Sequence, residues 1–141
     1  MINIEENLRK YKIIIPKANK PVANYSPYVI TENLIFISGQ IPIVDGNMIF
    51  TGKVNKDIEI ASAVEAAELC MLNSFAVLKN AVKDDFNIVR KCIKINVFIN
   101  SDDLFINQPE VADGASNLIT KIMSPNSEHA RSAVSVSSLP K

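Results

Sequence analysis

The stretch from Glu59 to Val82 constrains this chain more than any other. Stepped at roughly 100° per residue, Ser62, Glu65, Glu68, Asn73, Lys79, Asn80 and Lys83 crowd into roughly 140° of arc. Apart from Ser74, the rest of the circumference is apolar or small. The spacing predicts one long helix whose apolar face is far wider than its polar one. At ~1.5 Å per residue it runs about 35 Å, enough to cross a whole sheet. Glu59, Glu65, Glu68 and Lys79 interrupt the apolar-rich span, so a membrane crossing is not expected.

Strand patterns surround this helix. Tyr28 to Ile30 and Leu34 to Ser38 read as two strands with Thr31, Glu32 and Asn33 as the turn between them. Leu34-Ile35-Phe36-Ile37 is apolar without alternation, which predicts burial on both faces. Asp45-Gly46 tolerates positive φ at both positions and predicts a hairpin joining Ile41–Val44 to Met48–Phe50. Val89 to Ile99 reads as the longest strand, with Ile93, Ile95, Val97 and Ile99 on one face and Cys92, Lys94, Asn96 and Phe98 on the other.

Pro109 opens a second helix, as proline can in a first turn. Val111, Ala112, Ala115, Leu118, Ile119 and Ile122 form its apolar stripe, and Ser124-Pro125-Asn126 ends it. Arg131 to Val136 is a last short strand. The expected order is β-β-β-α-β-α-β, an α/β fold with a mixed single-layer sheet and two helices on one face. Ahead of it, residues 1–20 form an extension: Ile4, Leu8 and Tyr11 at helical spacing, then a connector kept extended by Pro16 and Pro21. Two helices cover only one face of such a sheet, whereas Leu34 to Ile37 asks for cover on both. A second copy of the chain is the simplest source, so an oligomer is expected.

Bulk properties narrow the function. The 141 residues suit a single domain, 1–141, with a real core. Fifteen basic and fifteen acidic residues balance, and no basic run exceeds two adjacent residues, so no concentrated positive field invites nucleic acid. Cys70 and Cys92 have neither metal-type spacing nor a disulfide framework, and read as unlinked thiols in a reducing compartment. The N-terminal residues hold two glutamates and an apolar run of only three, Ile13 to Ile15, unlike a signal peptide or a mitochondrial presequence. A cytoplasmic location is the expectation.

Several segments resemble the RidA/YjgF family. Asn24-Tyr25 precedes an early strand, and Leu34-Ile35-Phe36-Ile37-Ser38-Gly39-Gln40-Ile41-Pro42 resembles the family's strand end SGQ-[IL]-P. Asn73 sits mid-helix, and Val97-Phe98-Ile99-Asn100 resembles the "VFV" strand. Ala130-Arg131-Ser132-Ala133-Val134, followed by Leu139-Pro140, resembles the ARS-x-V…LP signature. The matches keep their order from Pro21 to Pro140. Each alone is weak; SGQIP and ARSAV together are specific. The resemblance implies a chorismate-mutase-like fold, a homotrimer with clefts between subunits, and hydrolysis of reactive enamines and imines such as 2-aminoacrylate to 2-keto acids and ammonia. It implies no metal and no organic cofactor. An older label in the family, endoribonuclease or translation inhibitor, is disfavoured by the neutral charge and scarce aromatics.

Arg131 is the first candidate for chemistry, because a guanidinium grips a carboxylate through two parallel hydrogen bonds. Tyr25 matches the family's pocket tyrosine, with Tyr28 the competitor; its ring could wall the pocket and its hydroxyl could bond substrate or water. Ser38 matches a pocket serine. It is not read as a nucleophile, since no Gly-x-Ser-x-Gly elbow and no base accompany it. Gly39 lets backbone approach a ligand, and Ala133 is carried over as a lining residue.

Two departures stand out. Asp113 replaces a common asparagine and falls ~160° from the middle of the apolar stripe, facing water or a neighbouring subunit. An aspartate can only accept hydrogen bonds and repels an anion. The family pattern also runs past Leu139-Pro140 into a strand with a glutamate that orients the attacking water, whereas Lys141 is the last residue here. His129, the single histidine, has no second ligand or base near it in sequence. Two readings follow: an imine/enamine deaminase with Arg131 as carboxylate clamp and Tyr25, Ser38 and backbone groups placing water, or a ligand-binding trimer that kept the pocket without turnover.

Overall fold

The computed structural model describes residues 3–20 and 23–140. Helix α1 spans Ile4–Lys10. The Asn3 side chain accepts from the Glu6 amide, Glu5 and Glu6 occupy the positive end of the helix, and Arg9 and Lys10 the negative end. Ile4 is buried, and the Asn7 amide nitrogen donates to the carbonyls of Ile122 and Ser124, both at 3.0 Å. The extension is thus tied to the domain rather than trailing from it. Pro21 lies outside the described residues.

Strands β1 (Tyr28–Thr31) and β2 (Leu34–Ile37) form an antiparallel hairpin in which Tyr28 faces Ile37 and Thr31 faces Leu34. The turn is therefore Glu32-Asn33 alone, with Glu32 at φ 51°. The second hairpin pairs β3 (Ile43–Val44) with β4 (Asn47–Met48) around Asp45 and Gly46, whose φ angles of 49° and 81° are those the dipeptide was expected to supply. It is shorter than expected. Pro42 has no N–H to extend the ladder, although its carbonyl still accepts from Ile49 at 3.0 Å.

Helix α2 (Ile60–Ala81) and helix α3 (Gln108–Met123) pack on each other. Every residue of the expected α3 stripe is nearly inaccessible, from Val111 at 3% to Ile122 at 0%. By length and composition α2 could cross a membrane, but Ala63, Ala67, Phe75, Ala76 and Val77 are buried inside this domain.

Strand β5 covers Lys94–Asn100, with the preceding Phe86–Ile88 a single 3₁₀ turn capped by Asp85. Strand formation starts later than Val89 because the partner, β6 (Ala130–Val136), begins opposite Lys94. The pair is parallel. Ile95 and Ile99 are buried and Val97 is half-buried, whereas Lys94, Asn96 and Phe98 face outward, the expected alternation.

This is the expected mixed α/β class, with two refinements. The leading helix and both strands of the second hairpin make the order α-β-β-β-β-α-β-α-β. Among the described residues the strands pair as three two-stranded ladders, and Val54 bridges to Ser101 at the end of β5.

Within one chain the strand Leu34–Ile37 is covered on one side only: Ile35 and Ile37 are half-buried, while Phe36 is 60% exposed. Helix α2 packs against this hairpin, and among the described residues its other side stays open at Phe36. Val29, directly across from Phe36, is exposed too, as are Phe98 and its partner Val134 on the parallel pair.

Candidate functional site

Arg131 is the second residue of β6 and pairs with Ile95, whose side chain is buried in the core. Residues paired across a ladder point to the same face, so Arg131 leaves the sheet toward the helices. There it meets α3. Its Nη1 donates to Asp113 Oδ1 at 2.7 Å and to Ser116 Oγ at 3.1 Å. Asp113 and Ser116 are three residues apart, the spacing that brings side chains to one helical face. That face is opposite the stripe packed on α2, as the helical phase predicted.

The chain of contacts continues beyond Ser116. Ser116 Oγ lies 2.9 Å from His129 Nε2, and His129 Nδ1 lies 2.8 Å from the Ser127 carbonyl oxygen. A carbonyl can only accept, so Nδ1 carries the hydrogen. In the neutral ring Nε2 then accepts the Ser116 hydroxyl, whose lone pair receives Arg131. Each donor along this relay has an acceptor, and Nη1 of the guanidinium is held by two oxygens. About a quarter of the Arg131 side chain (27%) and half of that of Asp113 (55%) remain accessible. Nη2 and Nε of Arg131, and Oδ2 of Asp113, carry no hydrogen bond among the described residues.

Ser38 and Tyr25 form a second group. Ser38 follows β2; its hydroxyl donates to the Ser26 carbonyl at 2.6 Å, and its amide donates to the Pro27 carbonyl at 3.0 Å. These bonds bring Ser38 beside the segment that carries Tyr25, which is half exposed. With its proton committed, Ser38 offers lone pairs only. The competitor Tyr28 is drawn into β1 and partly covered. Gly39 has open space where a Cβ would stand, so the chain's own packing does not require glycine there. Ala133 lies two residues beyond Arg131 on the same face of β6, opposite Val97. No hydrogen bond or ion pair among the described residues joins the Tyr25–Ser38 group to the Arg131 group within one chain.

The structure adds Ser116, which the sequence reading did not name, and gives His129, which that reading left without a partner, a place beside it. The one available signal was the Asp113/Ser116 spacing on the polar face of a helix that must pack near β6. Cys70 and Cys92 are unlinked. Burial pushes the Cys70 thiol up to about 12 and raises that of Cys92, so neither is poised as a thiolate nucleophile.

The chain has clear relatives. The profile of the "YjgF/chorismate mutase-like, putative endoribonuclease" family matches residues 5–141. Protein TCP17 of Trypanosoma cruzi is 34% identical over 138 residues, spanning 97% of this chain and 86% of that protein. The crystal structure of protein Atu1372, "with unknown function", from Agrobacterium tumefaciens superposes with a TM-score of 0.88 at 42% identity, covering 97% of this chain and 84% of the other. That of a "putative endoribonuclease" from Shewanella oneidensis superposes with a TM-score of 0.92 at 25% identity, covering 98% and 91%.

Proposed function

We propose, from the premise that this chain belongs to the YjgF/chorismate mutase-like family, that it hydrolyses small 2-imino acids and their enamine tautomers to 2-keto acids and ammonia. The observation that carries this reading is the half-occupied guanidinium of Arg131. Asp113 and Ser116 hold Nη1, while the Nη2 and Nε donors remain for a carboxylate. A charge-assisted pair of this kind fixes both position and orientation. Ser38 lone pairs and the Tyr25 ring would wall the opposite side and help place water.

Among the described residues no hydrogen bond or ion pair joins the Tyr25–Ser38 group to the Arg131 group within one chain, which favours a site completed between subunits. A homotrimer supplies such clefts and would also cover Val29, Phe36, Phe98 and Val134. An endoribonuclease is the weaker reading, because fifteen acidic residues balance fifteen basic ones and no basic groove can be traced. A binding trimer without turnover is the second reading, favoured by Ser38, whose committed proton cannot be passed to a substrate.

The test is release of keto acid from freshly generated 2-aminoacrylate. Activity that vanishes in Arg131→Ala supports the deaminase. A parent protein that binds keto acids through Arg131 yet releases none from the imine supports the binding trimer.

A further inference from the structure

We infer that Asp113 makes this pocket select a zwitterion, a carboxylate with a cationic nitrogen beside it, over a plain carboxylate anion. The inference rests on the reading of Arg131 as a carboxylate clamp and names the charge state of ligand that the clamp prefers. An isolated arginine attracts any anion. Here Nη1 is bridged to Asp113 at 2.7 Å, so the pair presents no net charge to an approaching ligand. What it presents is an edge of donors, Nη2 and Nε of Arg131, beside an open acceptor, Oδ2 of the half-exposed Asp113.

The complement of a donor edge next to an acceptor is a ligand with an acceptor next to a donor. A protonated 2-imino acid has that pattern: its carboxylate meets Arg131 and its iminium N–H meets Asp113. The arrangement is kept in register from behind. Ser116 accepts from the same Nη1 at 3.1 Å, and His129, anchored on the Ser127 carbonyl, fixes the Ser116 hydroxyl.

The selection has a direction along the reaction. The zwitterion R–C(=NH₂⁺)–COO⁻ takes up water at the imine carbon, the C–N bond breaks, and the products are R–CO–COO⁻ and NH₄⁺. The substrate carries no net charge and the organic product is an anion. Asp113 attracts the nitrogen before hydrolysis and repels the keto acid after it. An asparagine in the same place could donate to either carboxylate and would lose this asymmetry.

Binding of 2-oxobutanoate (the anion) and 2-aminobutanoate (a stable zwitterion of similar shape) is measured by ligand-detected NMR on the parent, Asp113→Asn and Arg131→Ala. Asp113→Asn is near-isosteric and half exposed, so the fold is kept. One unit charge removed a few ångströms from the ligand in a partly solvated site corresponds to roughly tenfold in affinity. The expected result is opposite shifts: Asp113→Asn tightens 2-oxobutanoate and weakens 2-aminobutanoate, each by roughly tenfold. Shifts of the same sign for both ligands, as for a surface ion pair that merely competes for Arg131, overturn the inference, as does no shift. If neither ligand responds to Arg131→Ala, the carboxylate clamp itself fails, a result distinct from the other two.

Discussion

Gly114 of α3 packs so closely on Val64 of α2 that a Cβ at position 114 would overlap the Val64 carbonyl oxygen and lie 2.9 Å from its carbon. The neighbour is backbone inside a helix and cannot rotate away. The apolar stripe of α3 reaches α2 only because position 114 is bare.

Gly114→Ala should therefore destabilise the protein, although alanine gains about 1 kcal/mol of helix propensity over glycine. Because the overlap is with backbone, forcing the helices apart should cost at the upper end of the overpacking range, about 3 kcal/mol, for a net loss of about 2 kcal/mol. Urea unfolding at constant m-value checks it. A variant as stable as the parent would show that α2 and α3 are not in such close contact.

Asn73 is nearly inaccessible at 2%, and its amide nitrogen donates to the carbonyls of both Ile41 and Ile43 at 3.0 Å. It fastens the segment after Ser38-Gly39-Gln40 to the long helix. Asn73→Ala leaves two carbonyls without a donor and a small void, a loss of about 2–4 kcal/mol. Asn73→Asp should be worse at neutral pH, because an acceptor then faces two carbonyl oxygens. Equal stability of the two variants would argue against these hydrogen bonds.

The distance between what was legible and what was not follows from the range of the interactions. Periodicity reports one element's own faces, so the α3 stripe and the Asp45-Gly46 turn were readable. Register is a property of two elements. The late start of β5 depends on where β6 begins, so residues 89–93 carry a strand-like pattern without a strand. The Arg131–Asp113 pair spans 18 positions and two elements, and Ser116 and His129 join it only through that pairing. The resemblance named Arg131, but helical phase alone showed only that Asp113 points away from the core. Leu34–Ile37 shows the same limit: an apolar run reports the need for cover on both faces, and one chain covers only one of them.

The two thiols predict an alkaline effect. For Cys70 the ordinary value of 9.0 applies to the unfolded chain and about 12 to the folded one. Below pH 9 both states are protonated, and the thiol does not alter stability. Between about 9 and 12 only the unfolded chain ionises, so native stability falls by up to about 1.4 kcal/mol per pH unit. Cys70→Ala should flatten that part of the parent's pH–stability curve at some cost in packing. In the native protein at pH 8 Cys70 should resist iodoacetamide, and both cysteines should be modified once unfolded. Rapid native labelling of Cys70 would contradict its burial.

The outward apolar residues predict assembly. Sedimentation equilibrium should report three times the 15.5 kDa chain. Phe36 and Phe98 are each more than half exposed within one chain, so Phe36→Lys or Phe98→Glu should cost little in chain folding while dispersing the assembly. A parent that stays monomeric at micromolar concentration removes this source of cover. So does an assembly that tolerates both charges.

Arg131 carries the final prediction. If its free edge clamps a carboxylate, Arg131→Ala removes a charge-assisted bidentate contact worth on the order of 2–4 kcal/mol, or roughly 30- to 1000-fold in affinity or turnover. Arg131→Lys should recover only part, because an ammonium cannot hold Asp113, Ser116 and a ligand carboxylate through one planar fork. The fold should survive. Asp113, left without its cation, is half exposed and can be hydrated, so the stability cost should be that of a surface pair, about 0–1 kcal/mol. Melting temperature and oligomer mass serve as controls beside keto-acid release. An unfolded Arg131→Ala protein would mean that the pair is structural. A folded variant as active as the parent would mean that some other group holds the carboxylate, and the reading of this site would fail at its central residue.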